Sequence, residues 1–169
     1  ILVPSVSSER REYIPIGFFD SDVITTNANY LIPGGTLYEF AILSSTMHMD
    51  WVRVVGGRLE SRYRYSATII YNPFPWPSIT EKNKSDISKF AEQILLIREK
   101  YTDKTLAGLY DPELMPRDLL DAHHKLDAAV EKLYRERPFK DASERLSYLF
   151  SLYEKLTNNV AQEQNYGES

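Results

Sequence analysis

The stretch Tyr71-Asn72-Pro73-Phe74-Pro75-Trp76-Pro77 divides this sequence of 169 residues into two unlike parts. Proline has a fixed φ and no backbone N–H, so three of them in five positions can continue neither a helix nor a central strand. The run reads as a rigid connector pinned by its aromatic side chains, Phe74 and Trp76. Before it, β-branched and aromatic residues alternate with turn signals. After it, apolar residues recur at helical spacing. The expected class is α+β: a small mixed or antiparallel β portion over residues 1–78, then a bundle of about three helices over 79–169.

Upstream of the connector, Ala67 to Tyr71 and Trp51 to Val55 read as strands, with Gly56-Gly57 as punctuation between them. Ile14 to Phe19 reads as a strand entered through Pro15, and Pro33-Gly34-Gly35 as a turn. Leu37 to Leu43 fits a short helix or a buried strand, which periodicity does not separate. Downstream, Asn83 or Ser85 is placed to cap a helix carrying Ile87, Phe90, Ile94 and Ile97. Pro116 suits the first position of a second helix, with Leu119, Ala122, Leu126 and Val130 on one face. Asp141 and Glu144 have capping-box spacing before Leu146, Leu149, Tyr153 and Leu156. The polar end, residues 161–169, is expected to fray.

Composition narrows the function. No apolar run reaches the ~20 residues of a membrane span, so no membrane partner is expected. The opening Ile1-Leu2-Val3-Pro4 has no initiator Met and no basic start, and reads as a cut inside a longer protein. The absence of Cys excludes disulfides and thiol nucleophiles and fits a reducing, cytoplasmic compartment. A net charge of −4 argues against a general nucleic-acid binder. The distribution of charge says more. Residues 1–80 carry six cations, all Arg, and four of them (Arg53, Arg58, Arg62, Arg64) fall together with only Glu60 opposed. Arginine's planar fork matches base edges and phosphates, which a point charge does not.

In an extended segment Glu60, Arg62 and Arg64 would point to one side and form a row. Glu accepts from cytosine N4, and Arg donates in pairs to guanine O6 and N7. Arg53 and Arg58 are the expected contacts to the DNA backbone, with Tyr63, Tyr65 and Ser66 facing either the core or phosphates. The three histidines, His48, His123 and His124, show no ligand spacing, and His123 and His124 read as helix surface. No metal site and no catalytic residue is expected. Asn72-Pro73-Phe74-Pro75 differs from the Asn/Asp-Pro-Pro-aromatic motif of amino-methylating DNA enzymes, because its aromatic and second proline are exchanged.

Met47-His48-Met49-Asp50-Trp51-Val52-Arg53, Gly57-Arg58-Leu59, Tyr63-Arg64-Tyr65-Ser66 and the connector occur here in order. Leu106-Ala107-Gly108-Leu109-Tyr110-Asp111-Pro112 and Leu126-Asp127-Ala128-Ala129-Val130 follow. Together they resemble the MmeI-like type IIL restriction–modification enzymes. The resemblance implies a target-recognition portion followed by C-terminal helices, binding double-stranded DNA. The parent polypeptide would also carry adenine-N6 methyltransferase and nuclease domains served by S-adenosylmethionine and Mg2+, with no cofactor in the present segment. It further implies that Glu60 with Arg62 selects one base pair, and that Arg64 with Asn27 or Ala28 selects interior ones. The competing reading is an interaction module whose helices dock on the methyltransferase domain or on a second copy. An autonomous enzyme ranks last.

Overall fold

The computed structural model describes residues 1–20 and 22–166. Two small antiparallel sheets lie among the helices. In the first, β1 (Leu2–Pro4) pairs with β3 (Asn29–Leu31). In the second, β5 (Arg62–Arg64) lies between β2 (Val6–Ser7) and β4 (Gly57–Leu59). The helices are α1 (Leu37–Leu43), α2 (Thr46–Val55), α3 (Glu81–Arg98), the single turn α4 (Leu106–Leu109), α5 (Arg117–Tyr134) and α6 (Ala142–Tyr166). The α+β class expected from the sequence is the class observed. None of these helices is long and apolar enough to cross a membrane.

Several local expectations are corrected. Trp51 to Val55 belongs to α2, not to a strand. Ser45 caps that helix, its hydroxyl taking the His48 amide, and every residue from Met47 to Val52 is buried. A run buried on all sides has no polar face from which to read a period. Ala67–Tyr71 forms a π-helical turn, in which the Ser66 carbonyl accepts from both Ile70 and Tyr71 amides. Ile14 to Phe19 makes only the single bridge between Gly17 and Leu2. The cap of α3 is Thr80, several residues earlier than Asn83 or Ser85. Pro116 stands just outside α5, at its cap. The α6 backbone is helical to Tyr166, past the expected fray, and residues 167–169 lie outside the described residues.

The connector is pinned as its sequence implies. Phe74 is buried edge-on to His48, with ring centroids 4.8 Å apart, and Trp76 meets Tyr38 and Tyr71. The Tyr134 hydroxyl donates to the Pro75 carbonyl at 3.1 Å. The two halves of the sequence then share one core. α3 packs on α1 and α5, and α6 packs on α2. Trp51 of α2, 2% exposed, sits against Phe150 and Tyr153 of α6.

Buried polar groups fix how these helices meet. Asp127 of α5 accepts from the Thr46 amide at 2.7 Å, the Thr46 hydroxyl at 2.6 Å and the Tyr13 hydroxyl at 2.6 Å. It thus satisfies an N-terminal amide of α2 from another helix. Burial pushes its carboxyl above the ordinary range. Gly56, which ends α2, is equally constrained. A Cβ there would lie 2.4 Å from the Val52 carbonyl oxygen and 3.1 Å from Ile70. Gly56→Ala should cost about 1–3 kcal/mol, because backbone must move to admit the methyl group. Urea denaturation of the two proteins checks this, and an unchanged midpoint would contradict it.

Candidate nucleic-acid interface

The β4–β5 hairpin sorts the four clustered arginines by strand geometry. Side chains alternate across a strand, so Arg62 and Arg64 share the exposed side of β5 while Tyr63 between them is buried. Cross-strand partners share a face as well. Leu59 therefore stands beside Arg62, and Gly57 and Val6 flank Arg64. Because Gly57 has no side chain, one flank of Arg64 stays open. Arg64 makes no ion pair among the described residues.

Glu60 is not in the extended segment that the row required. It is the first of two turn residues, with a φ of 57°. That left-handed conformation costs an ordinary residue about 1–2 kcal/mol and favours glycine. The turn nevertheless returns Glu60 to Arg62: the Arg62 guanidinium donates to its carboxylate at 2.8 Å, with both groups in solvent. The pair presents an acceptor and a fork of donors at one tip.

Arg58 and Arg53, the expected phosphate contacts, are each bonded within the chain. Arg58 points to the opposite side, 4.5 Å above the Tyr63 ring, and donates to the Arg53, Gly56 and Gly57 carbonyls. Arg53 pairs with Asp50 at 2.8 Å and donates to the Glu12 carbonyl. Tyr63 and Tyr65 are buried, so of the two placements left open for them the core is the one found. The Tyr63 hydroxyl donates to the Glu9 carbonyl, and the Ser66 hydroxyl accepts from the Ile69 amide.

Asn27 and Ala28 form an exposed turn. The Ala28 carbonyl accepts from the Ser5 amide at 2.9 Å and the Ser5 hydroxyl at 2.8 Å. The Ser5 carbonyl in turn accepts from the amide of Tyr65, the residue after Arg64, at 2.8 Å. One residue therefore links the Asn27–Ala28 turn to the end of β5. Sequence spacing carried no sign of this link, which exists only in the folded chain.

The histidines are placed differently from expectation. His123 is fully buried, stacked on Tyr13 with ring centroids 4.1 Å apart. Its Nδ1 lies 3.3 Å from the Ser44 carbonyl and its Nε2 2.7 Å from the Tyr110 hydroxyl, to which Arg98 also donates. Only His124 is at the surface, beside Glu12. Among the described residues no group of three His, Asp or Glu side chains is placed to hold a metal.

Residues 1–78 match the family model described as the MmeI target recognition domain, and residues 79–161 match that of the MmeI C-terminal domain. The chain belongs to the MmeI family. The solved structure of the type IIL restriction–modification enzyme MmeI in complex with DNA is 50% identical. It aligns with a TM-score of 0.89 over 93% of this chain and 21% of that one. DNA methyltransferase A of Bacillus subtilis (strain 168) is 46% identical over 157 residues, 93% of this chain and 18% of that protein. The chain thus spans roughly a fifth of the length of the relatives it matches. Within the MmeI framework, the hairpin and the Asn27–Ala28 turn fall in the target recognition domain, and α3 to α6 in the C-terminal domain. Much of the apolar surface of these helices is taken up within the chain, α3 and α5 against each other and α1, and α6 against α2, which disfavours the reading of this part as a docking module.

Proposed function

We propose that this chain reads the sequence of double-stranded DNA for a site-specific adenine-N6 methyltransferase with endonuclease activity, acting in the cytoplasm. Methyl transfer and cleavage belong to other domains of the same polypeptide. S-adenosylmethionine and Mg2+ would serve those domains. Among the described residues no group of three His, Asp or Glu side chains is placed to hold a metal, and neither Gly34-Gly35 nor Gly56-Gly57 has the spacing of a phosphate-binding loop.

The observation that carries the reading is the tip of the hairpin. Glu60 and Arg62 form a solvent-exposed acceptor–donor pair with Arg64 beside it, while Arg53 and Arg58 fold back on carbonyls. A Glu acceptor with an Arg fork matches cytosine opposite guanine, each good contact contributing about 1–3 kcal/mol of discrimination. The strained φ of Glu60 fits the same reading, since such conformations concentrate at functional positions. Ser5 brings Asn27 and Ala28 to the Arg64 end, where they read neighbouring base pairs.

The test is Glu60→Lys with Arg62→Asp in the full-length protein. Exchanging acceptor and donor should transfer methylation to a site with that one base pair reversed, with activity retained. A methylated sequence identical to the original would overturn the assignment.

A further inference from the structure

We propose that the buried pair Tyr65–His48 positions Arg64 for its base contact, and does so independently of the Glu60–Arg62 end of the same hairpin. The inference rests on the reading of Arg64 as a base reader. β5 is the middle strand of a sheet whose strands have only two or three residues, so its reading geometry depends on what anchors it to the rest of the fold. Its two ends are held by different means. At the turn, the Glu60–Arg62 pair lies in solvent. At the other end, Tyr65 follows Arg64 and enters the core.

Four contacts hold Tyr65. Its amide donates to the Ser5 carbonyl at 2.8 Å, and its hydroxyl lies 2.9 Å from Nε2 of His48. Its ring tilts against Tyr30, at 6.0 Å between centroids, and against His48, at 5.7 Å. His48 is itself enclosed on all sides. It is fully buried on α2, meets Phe74 of the connector edge-on, and lies two residues after Thr46, whose amide and hydroxyl Asp127 holds. One imidazole thereby joins α2, the connector and the reading strand.

The direction of the hydrogen bond follows from the buried partners. Nδ1 of His48 has no hydrogen-bond partner among the described residues. If Tyr65 donates to Nε2, one buried N–H is left unpaired. If Nε2–H donates instead, the tyrosine O–H and the Nδ1 lone pair are both left unpaired. The first arrangement leaves fewer buried groups unsatisfied. Tyr65 therefore donates to a neutral His48, in a bond sensitive to direction. Because consecutive strand side chains point to opposite faces of one backbone, a twist about the strand axis that displaces Tyr65 displaces Arg64 in the opposite direction.

Tyr65→Phe removes the O–H and keeps the ring, and His48→Gln keeps an acceptor within reach of it. Full-length protein is assayed for methylation of DNA duplexes altered singly at each base pair of the site, with Arg64→Ala as reference. Tyr65→Phe should lower discrimination about five- to tenfold at the base pair that Arg64→Ala relaxes, within the 1–3 kcal/mol of one bidentate contact. The base pair assigned to Glu60 and Arg62 should change less than about twofold, as expected of uncoupled sites. His48→Gln should retain most of the discrimination. Equal relaxation at both base pairs means general loosening and overturns the proposal. Discrimination lost in Arg64→Ala but intact in Tyr65→Phe overturns the positioning role alone. If Arg64→Ala relaxes no base pair, the reading of Arg64 falls and this inference falls with it.

Discussion

Acidification from pH 6.5 toward pH 4 should remove stability at about 2.7 kcal/mol per pH unit, enough to unfold a domain of ordinary stability. Two histidines cause this. Burial holds both His48 and His123 down to about 3, from an ordinary value of 6.5, and the Arg98 guanidinium further opposes a proton on His123. The unfolded chain takes up a proton at each as the pH falls below 6.5, and the folded chain does not. Their contribution is complete above pH 6.5 and is lost progressively until the pH nears 3. Asp127, raised by burial, acts with the opposite sign and offsets part of the loss at the acid end. Urea midpoints at pH 7, 6 and 5 should fall steeply, and His48→Gln should halve the slope. A flat profile over that range would show that the folded protein admits the protons after all.

Asp50→Ala should destabilise the protein by about 3–5 kcal/mol, the cost of leaving a buried charge without its partner. The Asp50 side chain is 3% exposed and accepts from Arg53 at 2.8 Å and from Arg145 at 2.6 Å. Arg145 also reaches Glu131 at 3.0 Å, so one guanidinium on α6 joins α2 and α5. A guanidinium does not lose its proton in a protein, so Arg145 stays charged once Asp50 is gone. Asp50→Asn should cost less, since it keeps an acceptor for one arginine. Denaturant titration decides the matter. A loss below about 1 kcal/mol would mean that dehydration of these ions cancels their attraction.

The helical half and the connector were legible because their signals are local: prolines in series, and apolar residues at a period of 3.6. The β half was less so. Trp51 to Val55 and Ala67 to Tyr71 are short, largely apolar runs rich in β-branched residues, and only Ser45 and Ser66, each capping a helical turn, marked what they would form. Burial of His123 was legible after all, since it falls at helical spacing with Leu119, Leu126 and Val130. In the candidate site, period-two alternation correctly placed Arg62 and Arg64 together. It missed the turn at Glu60, where the chain reverses, and charge counting gave no sign that Arg53 and Arg58 also bond to carbonyls and to Asp50. The same guanidinium that suits a phosphate also suits a carbonyl, and only the fold decides which it meets.

The common core beneath the connector sets the size of the piece that can be transplanted. A reading module excised at residue 78 would carry Trp51 without Phe150 and Tyr153, and Thr46 and Tyr13 without Asp127. Grafts between relatives must therefore take the helices along, or the recipient must supply matching ones. The outer side of the hairpin is free of that constraint. Glu60 and Arg62 pair with each other in solvent, and Arg64 is exposed beside them. On the proposed reading, new addresses on DNA are open to a lineage through a few codons, while the scaffold that aims them is inherited whole.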